Sequence, residues 1–446
     1  MSGAGVFQGL FVPDHVAEQV SEGAWLQAML DVEAALAAAE AEAGIVPSEA
    51  AEAIAAACDA ERFDPDSLAR DARDTNSPVV PLVRALTAEL PEEAARWVHW
   101  GATSQDVMDS ASMLVAQRTL PLIDEELGKL ARSCSRLADE HRGTPMAART
   151  LLQQALPTTF GLKAAGWLAG AGDARERLAG LELAAELGGA AGTLASLGDD
   201  GIAVLQSFSQ RLGLAAPALP WHSSRGRVGE LAAALALAAG ALEKIALDVT
   251  LMAQTEVGEV TESSAAGRGG SSTLPHKRNP VGAVRCGACA RLARSAATSL
   301  LGGMAQEHER ASSGAWQAEW PALTDALALT GGAAWSLGES LDGLEVDPGR
   351  MKRNLELTGG LLMAESVTMA IAGELGRAEA KRVVDAASAR AADSGRPFRD
   401  VLVEDEAVAG RLGPDGIDRA LDPAGYLGST GAFIDRALER YGEGRG

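Results

Sequence analysis

Eleven consecutive residues, Gly270-Ser271-Ser272-Thr273-Leu274-Pro275-His276-Lys277-Arg278-Asn279-Pro280, bring together serine hydroxyls, a lysine ammonium and an asparagine amide. Lys277 and Asn279 stand two residues apart between Pro275 and Pro280, which stiffen that half. Together they suit a carboxylate or oxyanion, the lysine supplying charge and the asparagine directed N–H donors. Ser271 and Ser272 lie at the other end, where Gly267-Arg268-Gly269-Gly270 gives the freedom of a lid that closes over substrate. This composition predicts a loop that binds a carboxylate-bearing substrate and takes or returns a proton at carbon. A plainer reading is a Ser/Gly surface loop capping a helix that begins near Asn279-Pro280. Two further polar clusters weigh against it.

The first is His99-Trp100-Gly101-Ala102-Thr103-Ser104-Gln105-Asp106-Val107-Met108-Asp109. It precedes a helix expected from Ser110, so its donors and the positive end of that helix can converge on an anion. A lone His99 would more often be a packed or capping histidine. His99 with Thr103, Ser104, Gln105 and two aspartates is denser in polar groups than a turn requires. The other cluster is Arg149-Thr150-Leu151-Leu152-Gln153-Gln154-Ala155-Leu156-Pro157-Thr158-Thr159. There Thr150 and Gln153 offer neutral hydrogen bonds and Arg149 a charge, although the segment also reads as a Pro-initiated helix with Thr158 near its start.

The elements that must position these clusters are helical. Residues 25–43 place Leu26, Met29, Leu30, Val32 and Leu36 on one face, and Ser21 is suited to cap that helix. Residues 110–140, 158–187, 227–260, 282–304 and 321–341 read as long helices, rich in Ala and Gly where helices must approach closely. Their apolar character spreads round so much of the circumference that one chain cannot bury it, which predicts self-association of helix against helix. The expected fold is all-α in three parts: an N-terminal helical domain over 1–97, a central long-helix bundle over 98–346 and a small helical domain over 347–446. Turns are expected at Gly395-Arg396-Pro397 and Gly413-Pro414-Asp415-Gly416.

Composition excludes several functions. The chain has 446 residues and a formal net charge of −22, which argues against nucleic acid or an anionic membrane as partner and requires any carboxylate site to be locally basic. The longest apolar run, residues 231–242, falls short of the roughly 20 residues that span a bilayer. With no basic start leading into an apolar run, the chain reads as cytoplasmic. Cys286 and Cys289 form a CxxC with no second ligand pair at zinc spacing, and read as small packed residues of a helix.

In this order and spacing, the three clusters resemble the active-site regions of the fumarase/aspartase superfamily. The loop is similar to that superfamily's GSSxMPxKxNP pattern, with Leu274 in place of Met. The resemblance spans essentially the whole chain. It is strongest to the bacterial 3-carboxy-cis,cis-muconate cycloisomerase branch, through VHWGATSQDVMDSA (98–111), RTLLQQALPTTFGLKAAGWL (149–168), LPWHSS (219–224), QEHERASSGAW (306–316), AEW (318–320) and GYLGSTGAFIDRAL (425–438). It implies a homotetramer with active sites shared between subunits, a small di- or tricarboxylate substrate, and no metal or organic cofactor. It implies Ser271 as the general base at the carbon beside a carboxylate, helped by Lys277, loop N–H groups and exclusion of water. Lys277 and Asn279 match the groups that hold this carboxylate as it gains enediolate character. Thr103 and Ser104 match a second carboxylate pair, Thr150 and Gln153 line the same pocket with Arg149 and Ser272 beside them, and His99 matches a substrate-facing histidine.

The departures are informative. Many superfamily lyases carry a proton-transferring histidine where this chain has Leu151. Amines leave poorly without protonation, whereas a carboxylate or nitrite departs as a stable anion. Leu151 therefore argues against adenylosuccinate-type C–N cleavage and against fumarate hydration. It fits lactonisation of 3-carboxy-cis,cis-muconate in aromatic (protocatechuate, β-ketoadipate) catabolism, where both reacting groups lie in one molecule. It fits equally a lyase that expels nitrite from nitrosuccinate. Gly226, where cycloisomerases commonly carry an acid, and Gln317, where they commonly carry histidine, keep that alternative open. A non-catalytic structural member would have lost the polar clusters, yet Ser271, Lys277, Asn279, Thr103 and Ser104 are all present.

Overall fold

The computed structural model describes residues 6–263, 274, 277–310 and 313–442. Among the described residues the protein is all-α apart from two small two-stranded antiparallel sheets. The five long helices are Ser104–Glu140, Phe160–Ala179, Gly226–Met252, Val281–Gly302 and Ala315–Asp342. Several boundaries differ from expectation, among them the ends at Ala179 and Met252, expected at 187 and 260. The first helix begins at Ser104, six residues before the expected Ser110, because Thr103 and Asp106 close its N-terminus. The second begins at Phe160, where Thr159 Oγ1 accepts the Leu162 N–H at 3.0 Å. The fifth runs through Pro321 without stopping there.

The chain divides into two compact units, each assembled from three stretches of sequence. One comprises Met1–Gly128, Asp173–Lys244 and Arg285–Leu337. In it the helix Glu22–Glu42 packs on Ser48–Ala57 and Gly201–Leu212 through Leu26, Leu30 and Leu36, all buried. Each such side chain stabilises the fold by about 1.5–3 kcal/mol. Ser21 caps this helix as expected, accepting the Ala24 N–H at 3.2 Å. Cys286 and Cys289 are buried helix residues; the Cys286 thiol faces the Leu242 carbonyl, and burial pushes Cys289 up to about 11.

The other unit comprises Lys129–Gly172, Ile245–Val284 and Gly338–Gly446. Its core gathers Val367, Ile371, Val384, Phe398, Leu402 and Ile417 from the short helices that follow residue 347. Gly395 and Gly413, both at positive φ, break the chain at the two expected turns. This unit also holds both two-stranded sheets, which helical periodicity did not predict. Strand β1 (Pro145–Thr150) pairs with β2 (Gln153–Thr159), and β3 (Val260–Thr261) with β4 (Glu345–Val346). Pro157, read from sequence as a helix start, lies inside β2.

Candidate active site

In the first unit, the turn over residues 99–104 carries the expected His99, Thr103 and Ser104, all half-buried. Its path needs two residues in the left-handed region, His99 at φ 58° and Gly101 at φ 71°. A side chain at Gly101 would also collide, since its Cβ would lie 2.7 Å from Leu197 Cδ2. Thr103 and Asp106 then form half of a capping box: Asp106 Oδ2, in the first turn of the helix, accepts the Thr103 N–H at 2.9 Å.

Asp106 does more than cap. It is 1% exposed and also accepts the Gly188 N–H at 2.9 Å, the Gly189 N–H at 3.0 Å and a hydrogen bond from His222 Nε2 at 2.6 Å. One carboxylate therefore ties the 99–104 turn to the 186–189 segment and to the LPWHSS segment. Beside it, Glu186 Oε2 accepts the Trp221 N–H at 2.5 Å, while its Oε1 lies 3.4 Å from His222 Nε2 and has no hydrogen bond among the described residues. Burial first, then the nearby charges of Asp109 and Asp106, pushes Glu186 up to about 9, so it carries its proton at neutral pH. A second buried group adjoins. Arg225 forks onto both oxygens of Asp109 at 2.6 and 2.9 Å and onto Glu319, with its guanidinium 4.8 Å over the Trp221 ring. Trp316 Nε1 donates to Asp109 at 3.0 Å, and Gln306 Nε2 to Glu319 at 2.9 Å.

Sequence reasoning missed Asp106, Asp109, Glu186, His222 and Arg225 as contributors to the site. A signal was present: Gln105, Asp106, Asp109, Ser110 and Ser112 make a polar stripe at helical spacing, which needs partners when the helix is buried. Arg310, in QEHERASSGAW, was missed as well. Its Nη2 donates to the Gly189 carbonyl at 3.1 Å, and its buried Nε has no hydrogen bond among the described residues. Among the described residues, Asp106, Glu186 and His222 are also the one grouping with metal-ligand atoms close together. The Asp106 oxygens already accept three backbone N–H groups and an imidazole, so the trio is a hydrogen-bonded hub by its chemistry.

In the second unit, Thr150 and Gln153 pair across the end of the β1–β2 hairpin and both are exposed. The two residues between them, Leu151 and Leu152, have φ 49° and 64° and are 96% and 75% exposed. Positive φ at both central positions is the pattern of a type I′ hairpin turn, which ordinarily takes Asn-Gly. Leucine there is strained by roughly 1–2 kcal/mol per residue. Arg149 at the base is committed to an ion pair, its Nη groups 2.9 and 2.8 Å from the oxygens of the buried Glu259. Any substrate contact by Arg149 would be additional to that pair. Asn354 Nδ2 donates to the same Glu259 at 2.8 Å, and the Asn354 carbonyl accepts from Gln154 at 2.7 Å.

Of the loop, Lys277 is exposed, with its N–H on the Leu274 carbonyl at 3.0 Å, and Asn279 is half-buried. The following helix is capped from inside: Glu262 accepts the Gly282 and Ala283 N–H groups at 3.0 and 2.8 Å and the Ser340 hydroxyl at 2.6 Å. A buried carboxylate elsewhere in the sequence thus caps the first turn of this helix. Ser271 and Ser272 lie outside the described residues.

With this geometry in place, comparison with known proteins is direct. The model of the Lyase family matches residues 13–292, and that of the adenylosuccinate lyase C-terminus matches residues 360–437. A 3-carboxy-cis,cis-muconate cycloisomerase of Bradyrhizobium diazoefficiens is 47% identical over 93% of this chain and 93% of its own. A nitrosuccinate lyase of Streptomyces davaonensis is also 47% identical, over 94% of this chain and 91% of its own. The crystal structure of 3-carboxy-cis,cis-muconate lactonizing enzyme from Pseudomonas putida superposes with a TM-score of 0.91 at 42% identity, covering 98% of each chain. The chain belongs to this lyase family, the fumarase/aspartase superfamily that its three polar clusters resemble, and is an enzyme.

Proposed function

We propose that the protein catalyses cofactor-independent addition–elimination at a carbon beside a carboxylate, specifically the cycloisomerisation of 3-carboxy-cis,cis-muconate to 4-carboxymuconolactone. A substrate carboxylate oxygen bonds to the conjugated double bond while the carbon next to another carboxylate gains a proton, delivered by Ser271. Lys277 and Asn279 hold the carboxylate that becomes the enediolate; Thr103, Ser104 and His99 hold a second one. The observation that carries this reading is Leu151, a side chain without a transferable proton at the tip of the β1–β2 hairpin, in a chain similar throughout to muconate cycloisomerases. Purified enzyme incubated with the muconate should bleach its ultraviolet absorbance; no change at high enzyme concentration overturns the reading. Ser271→Ala should remove nearly all turnover with assembly unchanged.

Nitrosuccinate cleavage to nitrite and fumarate is the second reading, supported by a relative of equal identity. Gly226 begins its helix with nothing within 4 Å of the position a Cβ would take, so this site would accept the acidic residue common among cycloisomerases. Nitrite release from nitrosuccinate at a rate above muconate turnover selects this reading.

The working form is a homotetramer with sites completed between subunits. Leu237, Leu247, Val284 and Leu292 are 56, 53, 58 and 47% exposed on the long helices, which supports burial against other copies. Sedimentation at four times the chain mass is expected, and a monomer active at nanomolar concentration would refute it. Mixing Ser271→Ala subunits with Thr150→Ala subunits should recover part of the activity.

A further inference from the structure

We propose that Glu33 is a positioning residue: it holds His99 by one ring nitrogen, so that the other nitrogen presents an N–H to a substrate carboxylate. This rests on the reading of the 99–104 turn as a carboxylate-binding element. Glu33 lies on the helix Glu22–Glu42 and is 1% exposed; its spacing, three or four residues from Met29, Leu30 and Leu36, places it on the buried face of that helix. Its Oε1 sits 2.7 Å from His99 Nδ1, and its Oε2 has no hydrogen bond. The partner ring is 19% exposed, and its Nε2 has no hydrogen-bond partner among the described residues. One nitrogen is anchored from the buried side while the other remains available.

The backbone is arranged for this contact. His99 adopts φ 58°, a left-handed conformation that side chains other than glycine and asparagine rarely take and that persists only where surroundings enforce it. The 99–104 turn is thus fixed at both ends by buried carboxylates, Glu33 at His99 and Asp106 at the Thr103 N–H. The same two carboxylates set the charge. Burial pulls the His99 imidazolium down, but the charge and hydrogen bond of Glu33, with the charge of Asp106, outweigh it and raise His99 above its ordinary value. The groups facing Glu33 do not offset this. Glu40, on the same helix, is pushed up to about 9 by burial and the Glu33 charge and stays neutral. Cys58 is pushed up to about 12 by burial, Glu33 and Asp31, and stays a thiol. The net result favours the imidazolium form of His99 in a protein whose formal net charge is −22. A contact made equally to substrate and transition state appears in KM and leaves kcat little changed.

The test uses the full-length enzyme labelled at histidine Cε1, with His99 assigned by comparison with His99→Gln. In the wild type the His99 signal should titrate above about 6.5, and in Glu33→Gln it should titrate about one unit lower. Binding of tricarballylate, a saturated tricarboxylate that cannot react, should be equal in the two proteins near pH 5.5 and about tenfold weaker in the variant near pH 7.5. The alkaline limb of kcat/KM should move with it, through KM. A purely structural role would weaken binding by the same factor at every pH, and that result overturns the proposal. So does an unchanged His99 titration in Glu33→Gln. If Glu33→Gln fails to fold, Glu33→Asp substitutes, and its titration should fall between the two. Failure of the wild type to turn over the muconate overturns the substrate reading alone, because the titration and tricarballylate arms do not depend on turnover.

Discussion

Two polar turns, 99–104 in one unit and 150–153 in the other, both carry expected substrate contacts, and they are held in opposite ways. The first is supported from behind by buried acceptors. Glu33, Asp106 and His222 are 4% exposed or less, and Asp106 alone accepts four donors. The second is a two-residue hairpin end with strained leucines at its tip, tied down only at its base through Arg149, Glu259 and Asn354. A turn that must hold an anion in one place benefits from a dense network in which most buried donors already have their acceptors. A tip that reaches outward needs no such network. It presents side chains outward and carries backbone strain at its two central residues.

Removing the central acceptor should break this contrast most severely. Asp106→Ala leaves three backbone N–H groups and an imidazole without their acceptor, and about 3–5 kcal/mol of unfolding free energy should be lost in denaturant titration. A loss under about 1 kcal/mol would mean that the network is decorative. The matching change at the hairpin base, Arg149→Met, leaves Glu259 buried without its cation but with Asn354, so a smaller loss of about 2–3 kcal/mol is expected.

A pH experiment sharpens the same point. Glu40 and Glu186 are raised from an ordinary 4.5 to about 9 by burial, with neighbouring carboxylates adding to it. Their folded values lie above their unfolded ones, so the stability they support is complete below about pH 4.5 and is lost as pH rises towards about 9. Each contributes a slope of up to about 1.4 kcal/mol per pH unit in that window. Glu40→Gln should flatten the profile measured by urea unfolding between about pH 6 and 9; an identical slope in the variant would show that Glu40 does not hold its proton there.

The smallest expected effect is at the hairpin tip. Leu152→Gly should stabilise the isolated fold by up to about 1 kcal/mol by relieving a left-handed leucine, read as a rise in melting temperature. If it destabilises instead, the exposed leucine is buried against another copy, and dilution should abolish the difference.

The long helices were legible in the sequence because their signal is local: a 3.6-residue period and good helix formers persist whatever the chain packs against. The loop with Lys277 and Asn279, and the clusters at 99–109 and 149–161, were legible for the same reason, as short motifs of fixed spacing. The helix start at Ser104 was misread by six residues, since its decisive contact is a side-chain cap and polar density there looked like a loop. The β1–β2 hairpin was missed because a Leu-Leu pair is nearly the last dipeptide expected at two left-handed positions, and here the pairing of the flanking strands holds the turn.

What the residues alone determined, then, is the all-α character, the family and the three polar segments. Tertiary structure decided which of those polar residues face inward. Gln105, Asp106 and Asp109 sit among candidate substrate ligands, yet their partners are His222, Arg225 and Trp316, more than a hundred residues away. Helical spacing put Glu33 among Met29, Leu30 and Leu36, but only the folded chain showed that its buried carboxylate meets His99, 66 residues on. Spacing along a helix fixes a side chain's direction relative to its neighbours. Whether that direction leads to water, to a salt bridge or to a histidine depends on which distant element packs there.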